Sequence, residues 1–262
     1  ISIPLINLPI LFLLISKIPT ILWVGLLFLF ISLINNSALS VAPIKSTGIE
    51  LSSFEMSFKK NLIFILNSPN NPSGTTCNNL RELATVAKKH KLLVLSDEIY
   101  TDLTFNNNYS SISKYYPELT FITGGLSKWC GAGGWRLGFL AVPKKLKEFL
   151  LSLKSLASES YSTVNTPTQY ASVEAYANEH TKYKLKVRAI LKAVGNYVYN
   201  NLRSNKILIA PPQGAFYLMP EFKNKKYKTS SKLCEAILNQ TGVAMLPGSD
   251  FGFKPKKMIT RL

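Results

Sequence analysis

Short apolar runs alternate with an amphipathic stretch from residue 61 onward. Residues 61–66 and 92–95 are apolar runs of strand length, and turn-forming or polar residues follow each of them. Between them, residues 78–90 carry apolar side chains near helical spacing, with asparagine at the start and lysine at the end. Residues 121–123 and 137–142 predict two further strands. Largely apolar strands separated by a helix predict an α/β fold with a mostly parallel sheet sandwiched by helices.

The C-terminal part has a different pattern. Residues 169–198 are helical in character and rich in lysine. Residues 215–219 and 242–246 are short apolar segments, which predict strands of a smaller unit. We therefore divide the later chain into a large domain at residues 35–180 and a smaller C-terminal α/β domain at residues 181–262.

Residues 1–34 form a separate hydrophobic segment with one charge, Lys17. Residues 21–34 are almost wholly apolar, and together with residues 18–20 they approach the length of about 20 apolar residues that a membrane span needs. The basic start and small-residue end of a signal peptide are not clear. The segment is either a membrane anchor or a truncated or misread terminus. We favour the second interpretation, because the later motifs are typical of a soluble protein.

Composition narrows the classes of function. The chain has 262 residues, 47% of them hydrophobic, and a formal net charge of +17. Its lysines are scattered in short runs without a nucleic-acid-binding motif around them, which favours a solvated basic surface over a nucleic-acid partner. Three cysteines without paired spacing and two histidines give little material for a metal site or a histidine-based triad. The cysteines indicate a reducing compartment, and we expect no metal.

Three polar motifs follow the predicted strands, at residues 67–74, 96–100 and 124–138. The carboxyl ends of parallel strands are where ligands gather in such sheets, so we expect the motifs to lie together. The third motif places Lys128 in glycine-rich backbone. A lysine at a constrained, partly desolvated site can form a Schiff base and move a proton.

These motifs resemble those of the class I and II aminotransferases, which use pyridoxal phosphate and have fold type I. The resemblance rests on Asn-Ser-Pro-Asn-Asn-Pro-Ser-Gly at residues 67–74, Asp-Glu-Ile-Tyr at residues 97–100, and Ser-Lys at residues 127–128 with an arginine at 136. It makes the large domain the cofactor-binding one. It implies these roles: Lys128 forms the Schiff base, Asp97 faces the pyridine nitrogen, Asn71 and Tyr100 bond the phenolic oxygen, and Ser127 and Arg136 contact the phosphate.

Two more residues come from the same resemblance. Residues 245–252, followed by 259–262, resemble the family segment whose arginine binds the substrate α-carboxylate, so Arg261 is the candidate. Trp23 is similar in context to a ring-stacking aromatic of the family, although a core or membrane-facing tryptophan is an equal alternative. The family's upstream phosphate loop is not recognisable, and the chain stops soon after Arg261. We therefore expect a truncated member.

The implied function is transfer of an amino group between an amino acid and a 2-oxo acid. A homodimer in the cytoplasm belongs to the same expectation. Two alternatives stay open. The shared residues serve the cofactor rather than the choice of bond, so a lyase or decarboxylase fits them too. Residues 1–34 and the missing loop also allow a non-catalytic, membrane-anchored relative.

Overall fold

The fold is built on a six-stranded sheet. A computed structural model describes residues 63–106, 109–177, 180–223 and 226–262, together with the backbone of two strands at 11–16 and 40–41. The strands of the sheet are β1 (Leu11–Ser16), β2 (Ser40–Val41), β3 (Ile63–Asn67), β4 (Leu93–Asp97), β5 (Thr120–Gly125) and β6 (Leu137–Val142). Their spatial order is β1-β6-β5-β4-β3-β2.

The sheet is mixed, with its parallel strands in one block. Strands β2, β3, β4 and β5 run parallel to one another, whereas β6 pairs antiparallel with both β5 and β1. The four strands predicted from the sequence between residues 61 and 142 all form, within a few residues of the predicted bounds. The expected α/β fold is confirmed, and the antiparallel placement of β6 adds to it.

Strand β1 falls within the hydrophobic N-terminal segment. It pairs with β6 from Leu11 opposite Val142 to Ser16 opposite Leu137. Among the described residues, no helix is both long and apolar enough to cross a membrane.

Helices cover both faces of the sheet. The described helices are α1 (Leu80–Lys89), α2 (Lys147–Tyr161), α3 (Thr166–Ala175), α4 (Thr181–Ser204) and α5 (Ser230–Thr241). On one face, buried residues of α1 pack with Phe64 and Val94. On the other, Leu150 of α2 packs with Phe121 and Val142. Side chains of one strand alternate between faces, so β4 contributes Val94 to the first core while Leu93 and Leu95 pack against the second.

Helix α1 has the apolar spacing and the end charges that the sequence predicts. Leu80, Leu83, Ala84 and Ala87 are buried, at the i, i+3, i+4, i+7 spacing of one helix face. Glutamate lies in the first turn and two lysines in the last, where each charge opposes the end of the helix dipole. Periodicity and end charges therefore agree with the observed bounds.

The C-terminal part confirms one expectation and contradicts two. The segment at 169–198 is helical, as predicted, and is divided between α3, which ends at Ala175, and α4, which begins at Thr181. Residues 215–219 form no strand: Ala215 has φ +56° and begins a turn after an isolated bridge between Gly214 and Thr104. The strand predicted at 242–246 is reduced to β7 (Leu246–Pro247), which pairs with β8 (Thr260–Arg261). Gly242, with φ +73°, is the C-cap of α5 and so belongs to a helix end.

Candidate active site

The three motifs meet at the carboxyl edge of the parallel strands, as the sequence predicts. In register, Asn67 of β3 lies opposite Asp97 of β4, and Asp97 lies opposite Thr123 of β5. Gly125 ends β5 two residues later. A Cβ on Gly125 would lie 2.8 Å from the carbonyl oxygen of Leu137, so glycine lets β5 and β6 approach closely just before the chain turns toward Lys128.

Asp97 presents an enclosed carboxylate at this edge. Thr123 donates to its Oδ1 at 3.0 Å, and the side-chain amide of Asn67 donates to its Oδ2 at 3.0 Å. Burial raises the pKa of Asp97 above its ordinary value of 3.8, while the hydrogen bonds from Thr123 and the backbone of Ile99 oppose that rise. Both hydrogen-bonding side chains are neutral, so the carboxylate is suited to a cationic partner that approaches from the site.

Asn67 connects two of the predicted site residues, a role that the sequence reasoning missed. Besides its bond to Asp97, its side-chain oxygen accepts the backbone N–H of Asn71 at 2.7 Å. Its position as the last residue of a strand, beside the strand that ends in Asp97, is the signal that could have found it. One amide thus fixes the carboxylate of β4 and the turn after β3 together.

We expect Asn67→Ala to lower the free energy of unfolding by about 1–3 kcal/mol, because it removes a donor and an acceptor from partly buried partners. A donor to a carboxylate favours the ionised form. The loss should therefore be larger at pH 8 than at pH 5, where more of the Asp97 carboxyl is protonated in the folded protein. Denaturant titration at both pH values measures it.

The matched control is Asn201→Ala, which removes an exposed amide that donates to the carbonyl oxygen of Tyr197. We expect a smaller loss there, equal at the two pH values. If the loss of unfolding free energy changed between pH 5 and pH 8 by the same amount in both variants, the proposed coupling of Asn67 to the charge of Asp97 would be contradicted.

Lys128 follows β5 in a loop held by buried neighbours. Leu126 and Trp129 on either side of it are each 4% exposed, which anchors the loop in the core. The Lys128 Nζ lies 5.6 Å from the ring centroid of Tyr100 and 5.8 Å from that of Phe216. Desolvation, and then the charges of Arg136 and Arg261, lower the pKa of Lys128, and Asp97 partly opposes them. The amine is thus shifted toward its neutral, nucleophilic form.

Tyr100, Asn71 and Arg261 complete the group around this amine. Tyr100 is 3% exposed, and its hydroxyl lies 2.7 Å from the hydroxyl of Tyr217. Arg261 comes from β8, 190 residues away in sequence from Asn71, yet its guanidinium donates to Asn71 Oδ1 at 2.9 Å. The structure therefore brings Arg261, predicted from the chain's last residues, to the edge of the main sheet.

The remaining predicted site residues are Ser127, Arg136 and Trp23. Ser127 is partly buried beside Lys128. Arg136 is exposed, has the left-handed φ of +56°, and donates to the carbonyl oxygen of Gly133 at 2.5 Å. Its charge still acts on Lys128. Trp23 lies outside the described residues.

This fold and edge arrangement match a known class. The chain belongs to the family described as aminotransferase class I and II, whose model matches residues 31–261. It is 35% identical over 189 residues to a Bacillus subtilis protein named "Probable N-acetyl-LL-diaminopimelate aminotransferase", covering 71% of this chain and 47% of that protein. It is also 35% identical over 199 residues to the aspartate aminotransferase of Geobacillus stearothermophilus, covering 72% of this chain and 50% of the relative.

Solved structures agree with the fold. The aspartate aminotransferase of Thermus thermophilus with maleate superposes with a TM-score of 0.75 at 26% identity, covering 82% of this chain and 56% of that one. A double mutant of the Thermus thermophilus enzyme gives a TM-score of 0.82 at 22% identity, covering 96% and 70%. The chain spans about half the length of the curated relatives named above.

Proposed function

We propose that this chain carries the catalytic core of a pyridoxal-phosphate-dependent aminotransferase, which moves an amino group between an amino acid and a 2-oxo acid. The observation that carries the proposal is the convergence of an amine of lowered pKa, Lys128, with the carboxylate of Asp97, the phenol of Tyr100 and the guanidinium of Arg261 at one sheet edge. The family and the names of the relatives support the same reaction.

The residues present fit pyridoxal phosphate. A protonated pyridine nitrogen is a cation, and Asp97 is an enclosed carboxylate with neutral hydrogen-bonding neighbours. A phenolic oxygen needs donors, and Tyr100 and Asn71 supply a hydroxyl and an amide. A phosphate suits a hydroxyl and a planar guanidinium, and Ser127 and Arg136 flank the Lys128 loop. Each part of the cofactor therefore has a chemically matched side chain on this chain.

When bound, pyridoxal phosphate supplies an aldehyde that captures amines and a ring that withdraws electrons from the substrate Cα. Lys128 would hold the cofactor through its amine and, once freed by the substrate amine, would take the substrate Cα proton and deliver it to the former aldehyde carbon of the cofactor. Asp97 would keep the ring nitrogen protonated. Arg261 binds the substrate carboxylate with the two parallel hydrogen bonds that a guanidinium can make.

The wider assignments rest on the same proposal. Residues 35–180 form the cofactor-binding large domain, and residues 181–262, with the separate β7–β8 pair, belong to the smaller one. The partner is a second copy of the chain. Three cysteines without disulfides, Cys77, Cys130 and Cys234, support a reducing compartment such as the cytoplasm.

The test begins with the purified chain and added pyridoxal phosphate. We expect a visible absorbance band, and borohydride reduction followed by peptide mapping should place the cofactor on Lys128. Mapping is needed because the chain holds 26 lysines, and exposed lysines also react with aldehydes. A label spread over surface lysines, with none enriched at Lys128, would contradict the proposal.

Half-reactions separate amino transfer from the alternatives. Aspartate is a suitable first donor, since several relatives are named aspartate aminotransferase. We expect oxo acid to form in a stoichiometric first half-reaction, and a 2-oxo acid to restore the original spectrum. Release of carbon dioxide or ammonia instead would identify a decarboxylase or a lyase.

A further inference from the structure

Tyr217 touches two of the proposed site residues but belongs to none of the three motifs. Its hydroxyl lies 2.7 Å from the hydroxyl of Tyr100, and the rings of the two tyrosines meet edge to face at 5.6 Å. On the other side, the Arg261 guanidinium carbon lies 4.8 Å from the centroid of the Tyr217 ring. The side chain thus lies between the phenol proposed for the cofactor and the cation proposed for the substrate.

The backbone of Tyr217 is fixed to the first motif. A Cβ added to Gly74, whose φ is +68°, would lie 2.4 Å from the Tyr217 carbonyl oxygen. The N–H groups of Gln213 and Gly214 both donate to the carbonyl oxygen of Gly74, at 3.1 and 3.0 Å. The next residue, Leu218, exchanges two backbone hydrogen bonds of 3.0 Å with Leu262, beside Arg261. Tyr217 is therefore held from both sides of the site.

The contact between the hydroxyls of Tyr217 and Tyr100 affects where Tyr100 can donate its proton. A phenol has one proton to donate, and in this pair either oxygen can be the donor. When Tyr217 donates to Tyr100, the Tyr100 proton is directed to an anionic oxygen in the site, and the bond that Tyr100 accepts polarises its hydroxyl into a stronger donor. The Tyr217 hydroxyl can in this way direct the Tyr100 proton toward a ligand.

The ring has a separate effect on Arg261. The guanidinium carbon of Arg261 lies 4.8 Å from the centroid of the Tyr217 ring and 4.9 Å from the centroid of the Phe251 ring. The two rings limit where the guanidinium can lie, and one of its N–H groups already donates to Asn71. The Tyr217 ring therefore helps to hold Arg261 in place for a carboxylate.

We propose that Tyr217 is a positioning residue with two separable parts: its hydroxyl orients the Tyr100 proton toward the cofactor, and its ring holds Arg261 for the substrate carboxylate. This inference rests on the proposed function and adds a residue to it. Because the two parts use different atoms, Tyr217→Phe removes the first and keeps the second, whereas Tyr217→Leu removes both.

The first measurement is a pH titration of the visible absorbance of the cofactor-loaded protein. A donor to the phenolic oxygen stabilises its negative charge and lowers the pKa of the chromophore, so both variants should titrate at a pKa higher by about 0.5–1 unit than the wild type. The second is the dissociation constant of maleate. It should stay within about 2-fold of wild type in Tyr217→Phe and rise about 3–10-fold in Tyr217→Leu.

Tyr197→Phe is the control, since Tyr197 is 71% exposed on α4 and should change neither reading. An unshifted titration in Tyr217→Phe would overturn the hydroxyl part, and equal loss of maleate affinity in both variants would overturn the ring part. If Tyr217→Leu fails to fold, Tyr217→Phe still tests both parts, because an unshifted titration there overturns the hydroxyl part and weakened maleate binding there overturns the ring part. If the folded wild-type protein showed no visible cofactor band, the proposed function and this inference would both be overturned. If the wild-type protein showed the band but neither variant changed the titration or maleate binding, this inference alone would be overturned.

Discussion

Lys128→Ala is expected to abolish the site-specific cofactor band and to lower amino transfer by roughly 10⁴-fold, at the upper end of what a positioned general base contributes. In the proposed function the same amine is both the attachment point and the proton carrier, so its loss would affect two steps. Single-turnover assays with an amino acid, followed at the visible band, measure both consequences.

The matched variants separate the amine from its charge. Lys128→Arg keeps a cation among Arg136, Arg261 and Asp97 but cannot be deprotonated, so it should be as inactive as alanine. Replacement of Lys154, which is exposed on α2, should leave the band and the rate unchanged. An Arg variant that retained more than about a tenth of the wild-type rate would show that charge, rather than proton transfer, is what Lys128 supplies.

Asp97→Asn is expected to have opposite effects on activity and on stability. Removing one partner of an enclosed ion pair costs about 3–5 kcal/mol, so kcat/KM and cofactor affinity should fall on the order of 10²- to 10³-fold. The cofactor-free protein should nevertheless unfold at an equal or higher temperature at pH 7. Cofactor titration and thermal unfolding of the same preparation measure the two effects.

The sign of the stability effect follows from the pKa. Burial raises the pKa of Asp97 in the folded state, so the folded protein holds this proton more tightly than the unfolded chain does. The ionised carboxylate is therefore a destabilising group, whose cost grows as pH rises above 3.8 and is complete above the folded pKa. Asparagine removes that cost. A marked loss of stability at pH 7, with activity retained, would show that Asp97 serves the fold rather than the cofactor.

Much of the site could be predicted from the sequence because its residues follow strands. Apolar runs locate β3, β4 and β5, and parallel strands place their carboxyl ends on one edge, so Asp97 and Lys128 had to be neighbours. Asn67 could have been found by the same reasoning, since it ends the strand beside Asp97.

The contacts of Tyr217 and Arg261 could not be predicted in that way. Residues 215–219 have the composition of a strand, but the left-handed φ of Ala215 and the packing of Gly214 against Pro69 make a turn. Those constraints arise from tertiary contacts that periodicity does not encode. Likewise, nothing local to the last residues of the chain indicates that the Arg261 side chain reaches Asn71.

The hydrogen bonds of Gly74 and Thr76 with residues 213–214 join segments far apart in the sequence, and this separation bears on the order in which the site assembles. The Gln213 side chain accepts from the backbone N–H and the hydroxyl of Thr76, 137 residues earlier in the chain, at 2.7 and 3.0 Å. Closing so long a loop is slow and entropically costly, whereas α1 and the strands beside it form from nearer contacts. The Asp97 edge can therefore assemble well before Tyr217 and Arg261 reach it. Local opening of that late contact would expose the amine and dismantle substrate recognition while leaving the sheet intact.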